Sequence, residues 1–316
     1  MLKKKKFWLI TAAVVVLLLV GGLGFAGNYL VDYALAVDDQ GRIGSMGDGV
    51  YTGKQDTQAQ QEYDAWVKTA ETKELHIQSD DGLKLWAKYY HGAKESHRYV
   101  LAVHGYTVDN RDIAPAIVPF VKAGYHVITP DQRGRGQSEG TYLGMGWLEK
   151  DDVVNWVEKI VHMDKQAEIV LYGESMGAAT VMMASGEKLP ANVKAVVEDC
   201  GYTSASAMFK NQLKERFGLP DIPFLPAAAV VSQLRAGYNF YDASAIDQIA
   251  KSNLPILFIH GGADDYVPTS MGRELYKSYH GEKELLIVAK AGHGQSADVD
   301  PETYYHTVFQ FLAKYL

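Results

Sequence analysis

Glu168-Ile169-Val170-Leu171-Tyr172-Gly173-Glu174-Ser175-Met176-Gly177-Ala178-Ala179-Thr180 is the stretch that decides how this chain reads. An apolar run leads into Gly-x-Ser-x-Gly and then into small residues, the pattern of a strand, a tight turn and a helix with a serine at the turn. Gly173 and Gly177 matter because such a turn takes strained dihedrals and brings strand and helix close together, which a side chain at either position would obstruct. Ser175 is the expected nucleophile. The pentapeptide is weak evidence by itself, so its surroundings have to carry the reading.

Outward from that turn, the chain runs to 316 residues, 47% hydrophobic and 22% charged, enough for a membrane segment plus one sizeable domain with a large core. The single cysteine, Cys200, rules out an intrachain disulfide and, at the end of an apolar run, reads as a buried structural thiol. Residues 1–36 hold four lysines and one aspartate, net +3, so with a chain total of −7 the remainder carries −10. A body of that sign repels phosphate backbones, and nucleic acid is not an expected partner.

Lys3 to Lys6 precede Phe7 to Gly27, a segment without charge whose one polar side chain is Thr11. As a helix these 21 residues span about 32 Å, against a hydrocarbon core of about 30 Å. The lipid bilayer is therefore an expected partner, with the lysines keeping their end in the cytoplasm and the body extracellular. The alternative is a signal peptide cleaved at Ala34-Leu35-Ala36, giving a secreted chain that starts at Val37. Its apolar region would be longer than the usual run of about 7 to 15 residues, which favours an uncleaved anchor over residues 1–36.

Residues 37–74 read as a stalk, Gly-rich at Gly41, Gly44, Gly47, Gly49 and Gly53, followed by a short docking helix around Tyr63, Trp66 and Val67. From Leu75 to Leu316 apolar runs alternate with amphipathic segments. Leu75 to Ile77 and Leu83 to Tyr89 flank Ser79-Asp80-Asp81-Gly82 as a β-hairpin. Strands are then expected at 99–103, 126–129, 169–172, 193–197, 256–259 and 285–288, separated by helices at 113–122, 147–161 and 271–279 and closed by one at 302–315. Short Val/Ile/Leu strands with crossover helices are the signature of a mostly parallel sheet buried on both faces. The interval from about 201 to 253 breaks this alternation, and with Phe209, Phe217, Phe224, Leu225 and the breakers Pro220, Pro223 and Pro226 it reads as a helical cap.

A serine hydroxyl that attacks needs a base, an acid behind the base and donors for the oxyanion. The expected base is His293 in Ala291-Gly292-His293-Gly294, on the loop after the last strand. The expected acid is Asp264 in His260-Gly261-Gly262-Ala263-Asp264-Asp265, after the penultimate strand, in the chain order serine, acid, histidine; Asp199 is the alternative. His104-Gly105-Tyr106-Thr107 follows the strand at 99–103, and the backbone N–H groups of Tyr106 and Met176 are the expected oxyanion donors. His104 reads as a structural histidine shaping that loop, and Asp298-Val299-Asp300 as a cap on the final helix ahead of Pro301 rather than a calcium site.

Together with Asp131-Gln132-Arg133-Gly134-Arg135-Gly136-Gln137-Ser138, these residues resemble the α/β-hydrolase superfamily over Leu75 to Leu316. Within it the chain is similar to bacterial esterases and serine-peptidase-like hydrolases that carry a helical cap, including membrane-anchored cell-surface hydrolases. The resemblance implies an α/β fold with a mostly parallel central sheet flanked by helices and a cap insertion. It implies nucleophile Ser175, acid Asp264, base His293 and the oxyanion amides of Tyr106 and Met176, with Asp131 to Ser138 bracing nearby loops. The expected function is an exported, anchored serine hydrolase that cleaves small or moderately apolar carboxylic esters through an acyl-enzyme. The alternatives are an aminopeptidase-like hydrolase, with Glu174 or Glu198 receiving the substrate ammonium, and an inactive surface binding protein. No cofactor and no metal are expected, since the chain has no His-Glu-x-x-His, no paired cysteines and no phosphate loop.

Overall fold

Each of the short apolar runs becomes a strand of a single eight-stranded sheet. The computed structural model describes residues 2–38, Ile43 and 58–316. After α1 (Leu2–Ala34) and α2 (Gln58–Trp66), β1 (Thr72–Gln78) and β2 (Lys84–Tyr90) form the expected hairpin, with Ile77 opposite Leu85. The chain continues through β3 (Arg98–Val103), α3 (Asn110–Lys122), β4 (His126–Pro130), α4 (Glu149–Met163), β5 (Glu168–Glu174), α5 (Met176–Ser185) and β6 (Val193–Asp199). It then makes three helices, α6 (Ala205–Phe217), α7 (Phe224–Arg235) and α8 (Ala245–Ile249), before β7 (Ile256–Gly261), α9 (Thr269–Ser278), β8 (Lys283–Val288), α10 (Ser296–Val299) and α11 (Pro301–Leu312).

Spatial order in the sheet is β1-β2-β4-β3-β5-β6-β7-β8, with β1 and β2 antiparallel and every pairing from β4 to β8 parallel. Alternate residues of the central strands feed two separate cores: Ile169 and Leu171 pack on the side of α4, α5 and α9, Val170 and Tyr172 on the side of α3 and α11. Because both faces are covered, the strands can be apolar throughout, and the carboxyl ends of β3, β5, β7 and β8 come out along one edge where loops converge. The interval 201–253, expected as a cap, holds α6, α7 and α8, and Pro220 and Pro223 fall in the break between α6 and α7; Pro226 is tolerated in the first turn of α7. The expected cap on the final helix is also present, the Asp300 side chain accepting the Thr303 N–H at 3.1 Å.

The expected anchor is one uninterrupted helix with Phe7 to Val20 and Phe25 largely exposed. Its last turns behave differently. Gly27, Val31 and Leu35 recur every fourth residue and are buried, the latter two each 1% exposed, forming a stripe that packs on α7. Gly27 marks the closest approach: a Cβ there would lie 2.8 Å from the Ala227 carbonyl. Arg235 clamps the flank, donating to Asn28 Oδ1 at 2.6 Å and pairing with Asp32 Oδ1 at 2.7 Å. Beyond the helix, the Val37 N–H donates to the Thr141 carbonyl and the Leu143 N–H to the Leu35 carbonyl, both at 2.9 Å. The chain between the expected anchor and the domain is thus pinned at residues 34–37, and Ile43 is buried at 2%. The glycines of the expected stalk, Gly41, Gly44, Gly47, Gly49 and Gly53, lie outside the described residues. A helix is expected around Tyr63, Trp66 and Val67; α2 ends at Trp66, and its Tyr63 hydroxyl meets that of Tyr90 at 2.9 Å.

Candidate active site

The turn between β5 and α5 places Ser175 at φ +57°, ψ −116°, a conformation that residues with a side chain rarely adopt and that costs on the order of 1–3 kcal/mol. One hydrogen bond and two close backbone approaches frame it. The Ser175 N–H donates to the Asp199 carbonyl at 2.8 Å, a Cβ on Gly173 would lie 2.3 Å from the Gly177 carbonyl oxygen, and one on Gly177 would lie 2.0 Å from the Val103 carbonyl oxygen. Both glycines are therefore demanded by backbone packing against β3 and α5, as the sequence pattern requires.

The structure brings Ser175, His293 and Asp264 together from three loops. Ser175 Oγ lies 2.8 Å from His293 Nε2, and His293 Nδ1 lies 2.8 Å from Asp264 Oδ2. The Ser175 side chain is donor and Nε2 acceptor in the tautomer in which Nδ1–H donates to the carboxylate. Asp264 is fixed in turn by the N–H groups of Tyr266 at 3.0 Å and Val267 at 2.9 Å on its Oδ1. Its side chain is fully buried. Burial alone would raise that carboxyl, but hydrogen bonds from His260 and His293 and the charge of His293 outweigh it and hold it down at about 2, so it stays ionised. The alternative acid, Asp199, receives the Ser296 hydroxyl on its Oδ1 at 3.3 Å.

Two residues that the sequence did not single out complete this group. His260, fully buried, sets Nε2 against the Val267 carbonyl at 2.9 Å and 3.4 Å from Asp264 Oδ2, so the carboxylate is flanked by two imidazoles. Tyr266 lays its ring 5.0 Å from that of His293. Behind His260 sits Glu198, whose Oε2 accepts the Gly201 N–H at 2.9 Å; burial pushes its carboxyl up to about 8, against the pull of His260 and the Gly201 N–H. It is therefore protonated at neutral pH, and it supports a loop instead of facing solvent. Cys200 is fully buried with its Sγ within 4.8 Å of an Asp264 carboxylate oxygen and a His293 ring nitrogen, and burial pushes its thiol well up, which agrees with a structural thiol.

The Tyr106 loop is built as a rigid shelf beside the serine. His104 is buried, with Nδ1–H donating to the Gly105 carbonyl at 2.8 Å and Nε2 accepting the Gln132 N–H at 2.9 Å; burial pushes its imidazole down, keeping it neutral. Arg135 donates to the carbonyls of Thr107 and Val108 from the other side, and Asp131 takes the Asn110 and Gln137 N–H groups at 2.9 Å. Arg133 is held by a two-point bond to Asp152 at 2.7 and 2.8 Å and by Asp81 at 2.9 Å. The cleft around Ser175 is lined by Gly105, Tyr106, Thr107, Val108, Asp112, Glu174, Tyr266 and His293. Met176 opens α5, so its N–H belongs to the first helical turn, where amides have no intrahelical acceptor.

Comparison with known proteins points the same way as the fold. A family model described as "Serine aminopeptidase, S33" matches residues 94–221. The uncharacterized protein YqkD of Bacillus subtilis is 31% identical over 227 residues, covering 71% of this chain and 74% of that protein. The uncharacterized protein Rv2307c of Mycobacterium tuberculosis is 25% identical over 244 residues, covering 77% and 79%. Among solved structures, the Pyrococcus furiosus esterase Pf2001 superposes with a TM-score of 0.64 at 23% identity, over 78% of this chain and 94% of that one. The Pyrococcus horikoshii acylaminoacyl peptidase superposes with a TM-score of 0.59 at 18% identity, over 78% of this chain and 43% of that one.

Proposed function

The chain belongs to the α/β-hydrolase superfamily, and on that premise we propose that it is a membrane-anchored, exported serine hydrolase that cleaves carboxylic esters through an acyl-enzyme. The observation that carries this reading is the continuous chain from Ser175 Oγ through His293 to Asp264, both links 2.8 Å long. In this reading Ser175 Oγ attacks the ester carbonyl carbon while its proton passes to His293 Nε2, and the resulting imidazolium is stabilised by Asp264. The N–H groups of Tyr106 and Met176 receive the oxyanion, each such donor contributing about 2.7 to 4 kcal/mol in the transition state. His293 then returns the proton to the departing alkoxide, leaving an acyl ester on Ser175. Water, deprotonated by His293, attacks that ester and releases the carboxylic acid and the free serine.

The membrane part of the proposal rests on the apolar exposed length of α1 and on Lys3 to Lys6 at its start. Cleavage at Ala36 would strip Val31 and Leu35 from the core and the Ala34 carbonyl from the Tyr106 hydroxyl, which supports an uncleaved anchor over a signal peptide.

A second reading, an aminopeptidase-like hydrolase, is favoured by one feature: the carboxylates Glu174 and Asp112 line the same cleft as Ser175, where a substrate ammonium would be received. A rate comparison between aryl esters and aminoacyl anilides on the detergent-solubilised full chain separates the two. Ester turnover that disappears in Ser175→Ala, with little anilide turnover, supports the esterase; the reverse preference assigns the peptidase, and undiminished turnover by Ser175→Ala removes both.

A further inference from the structure

Tyr106, whose N–H is one of the two oxyanion donors of the reading above, is tied to the end of α1. Its side chain is buried, burial pushes its hydroxyl well up so that it stays protonated, and that hydroxyl donates to the carbonyl of Ala34 in the last turn of the helix. The next residue, Thr107, sits at φ +55°, a left-handed conformation that a β-branched residue takes only where its surroundings impose it. Two side chains grip the backbone around it: Tyr106 through Ala34, and Arg135 through the carbonyls of Thr107 and Val108. The segment that follows α1 also reaches the second grip. A Cβ on Gly134, the neighbour of Arg135, would lie 3.1 Å from Val37 Cγ2, and Val37 is pinned by its N–H on the Thr141 carbonyl at 2.9 Å. The docking of α1 on the domain is thereby passed to the strained loop beside Ser175 by two routes that begin three residues apart, at Ala34 and Val37.

We propose that the last turn of α1 is a positioning element of the oxyanion loop, so that Ser175 is acylated at its full rate only while the helix stays docked on the domain. The proposal rests on the serine hydrolase reading above and adds to it a dependence on the anchor. A strained residue relaxes when the contacts that impose its conformation are lost. Without the Ala34 carbonyl, the buried Tyr106 hydroxyl loses its acceptor there and has to turn towards another, which moves the residue that carries the oxyanion N–H. That N–H acts on charge that develops only in the transition state, so a displacement weakens the chemical step more than substrate binding. Undocking of α1, or a cut in the chain after Ala36, therefore lowers the activity of a domain whose Ser175, His293 and Asp264 are intact.

The test uses the full chain in detergent micelles. Tyr106→Phe keeps the ring and the N–H and removes the bond to Ala34. Gly27→Leu loosens the same link from the helix side, since a Cβ there would already lie 2.8 Å from the Ala227 carbonyl. For p-nitrophenyl acetate each variant is expected to lower kcat by about tenfold with KM within about twofold, a part of the roughly 10² to 10³ that removal of an oxyanion donor costs. The double variant should fall no further than either single one, because both break one link, whereas independent effects would multiply to about a hundredfold. Tyr63→Phe, which breaks the hydroxyl pair with Tyr90 in the core on the other face of the sheet, is the control for stability alone and should lower the melting temperature with kcat unchanged. Wild-type kcat in Tyr106→Phe, or multiplied losses in the double variant, overturns the role of α1 and leaves the serine hydrolase standing. A wild-type chain that neither turns over the ester nor gives a fluorophosphonate adduct on Ser175 overturns the reading beneath it. If Gly27→Leu does not fold, Tyr106→Phe decides alone.

Discussion

Asp264→Asn is the substitution that asks most of the site. The gap between an ordinary carboxyl at 3.8 and the value of about 2 that Asp264 takes here corresponds to about 2.4 kcal/mol in favour of the charged form. That gap is what remains after burial, which raises the carboxyl, so the favourable interactions with His260, His293 and the Val267 N–H together exceed it; shared among those groups, it sets about 60-fold in rate as a scale for the charge effect. A larger loss is nevertheless expected. An Asn side chain can present its NH₂ to His293 Nδ1, which moves the ring proton to Nε2, the nitrogen that must accept from Ser175; loss of the orienting carboxylate in this way costs about 10⁴ in kcat. The assay is single-turnover acylation of Ser175 by an activated ester near neutral pH, with a thermal melt to confirm the fold. A loss below about tenfold would refute the reasoning, because neither the charge nor the tautomer would then matter to the proton transfer.

Two further outcomes follow from the packing and from buried charge. Gly177→Ala drives a Cβ to within 2.0 Å of the Val103 carbonyl oxygen and 2.6 Å of that of His104, so β3 and α5 must separate; a lower melting temperature and loss of Ser175 labelling are expected, and a fully active, equally stable variant would contradict the described turn. For Glu198→Gln the expectation concerns pH. Folding holds a proton on Glu198 up to about 8 while the unfolded chain releases it near 4.5, so this group's contribution is complete below 4.5 and falls as pH rises towards 8, by at most about 5 kcal/mol. Relative to wild type, Glu198→Gln should gain stability between pH 5 and pH 8 in denaturant titrations, and a pH-independent difference would show that the wild-type carboxyl is not held neutral.

The sheet was legible because its strands are buried on both faces, which writes them as dense Val/Ile/Leu runs such as Glu168–Leu171. The placing of Ser175, His293 and Asp264 was legible for a related reason: glycines at 173, 177, 292 and 294 and the order of loops along the chain are local constraints on where backbone can turn. What could not be read was non-local. His260 and Tyr266 lie inside the quoted His260–Asp265 neighbourhood or next to it, yet nothing in their spacing tells which side chain turns towards Asp264. The docking of α1 depends on Asn28 and Asp32 meeting Arg235, some two hundred positions later, and on Gly27 passing Ala227, contacts that an apolar helix pattern does not encode. The sequence therefore assigns residues 1–36 to an anchor with its apolar span at 7–27, whereas the last turns of α1 carry the period-four stripe of a helix that also belongs to a core.

The most direct test of the central claim is the rate at which an alkyl fluorophosphonate modifies the full chain, with the modified residue identified by peptide mass spectrometry in wild type and in His293→Ala. A hydroxyl activated by an imidazole 2.8 Å away predicts a single adduct on Ser175 whose rate of formation falls by about 10² to 10⁴ when that imidazole is removed. An adduct on another residue, or equal rates on Ser175 with and without His293, would contradict it.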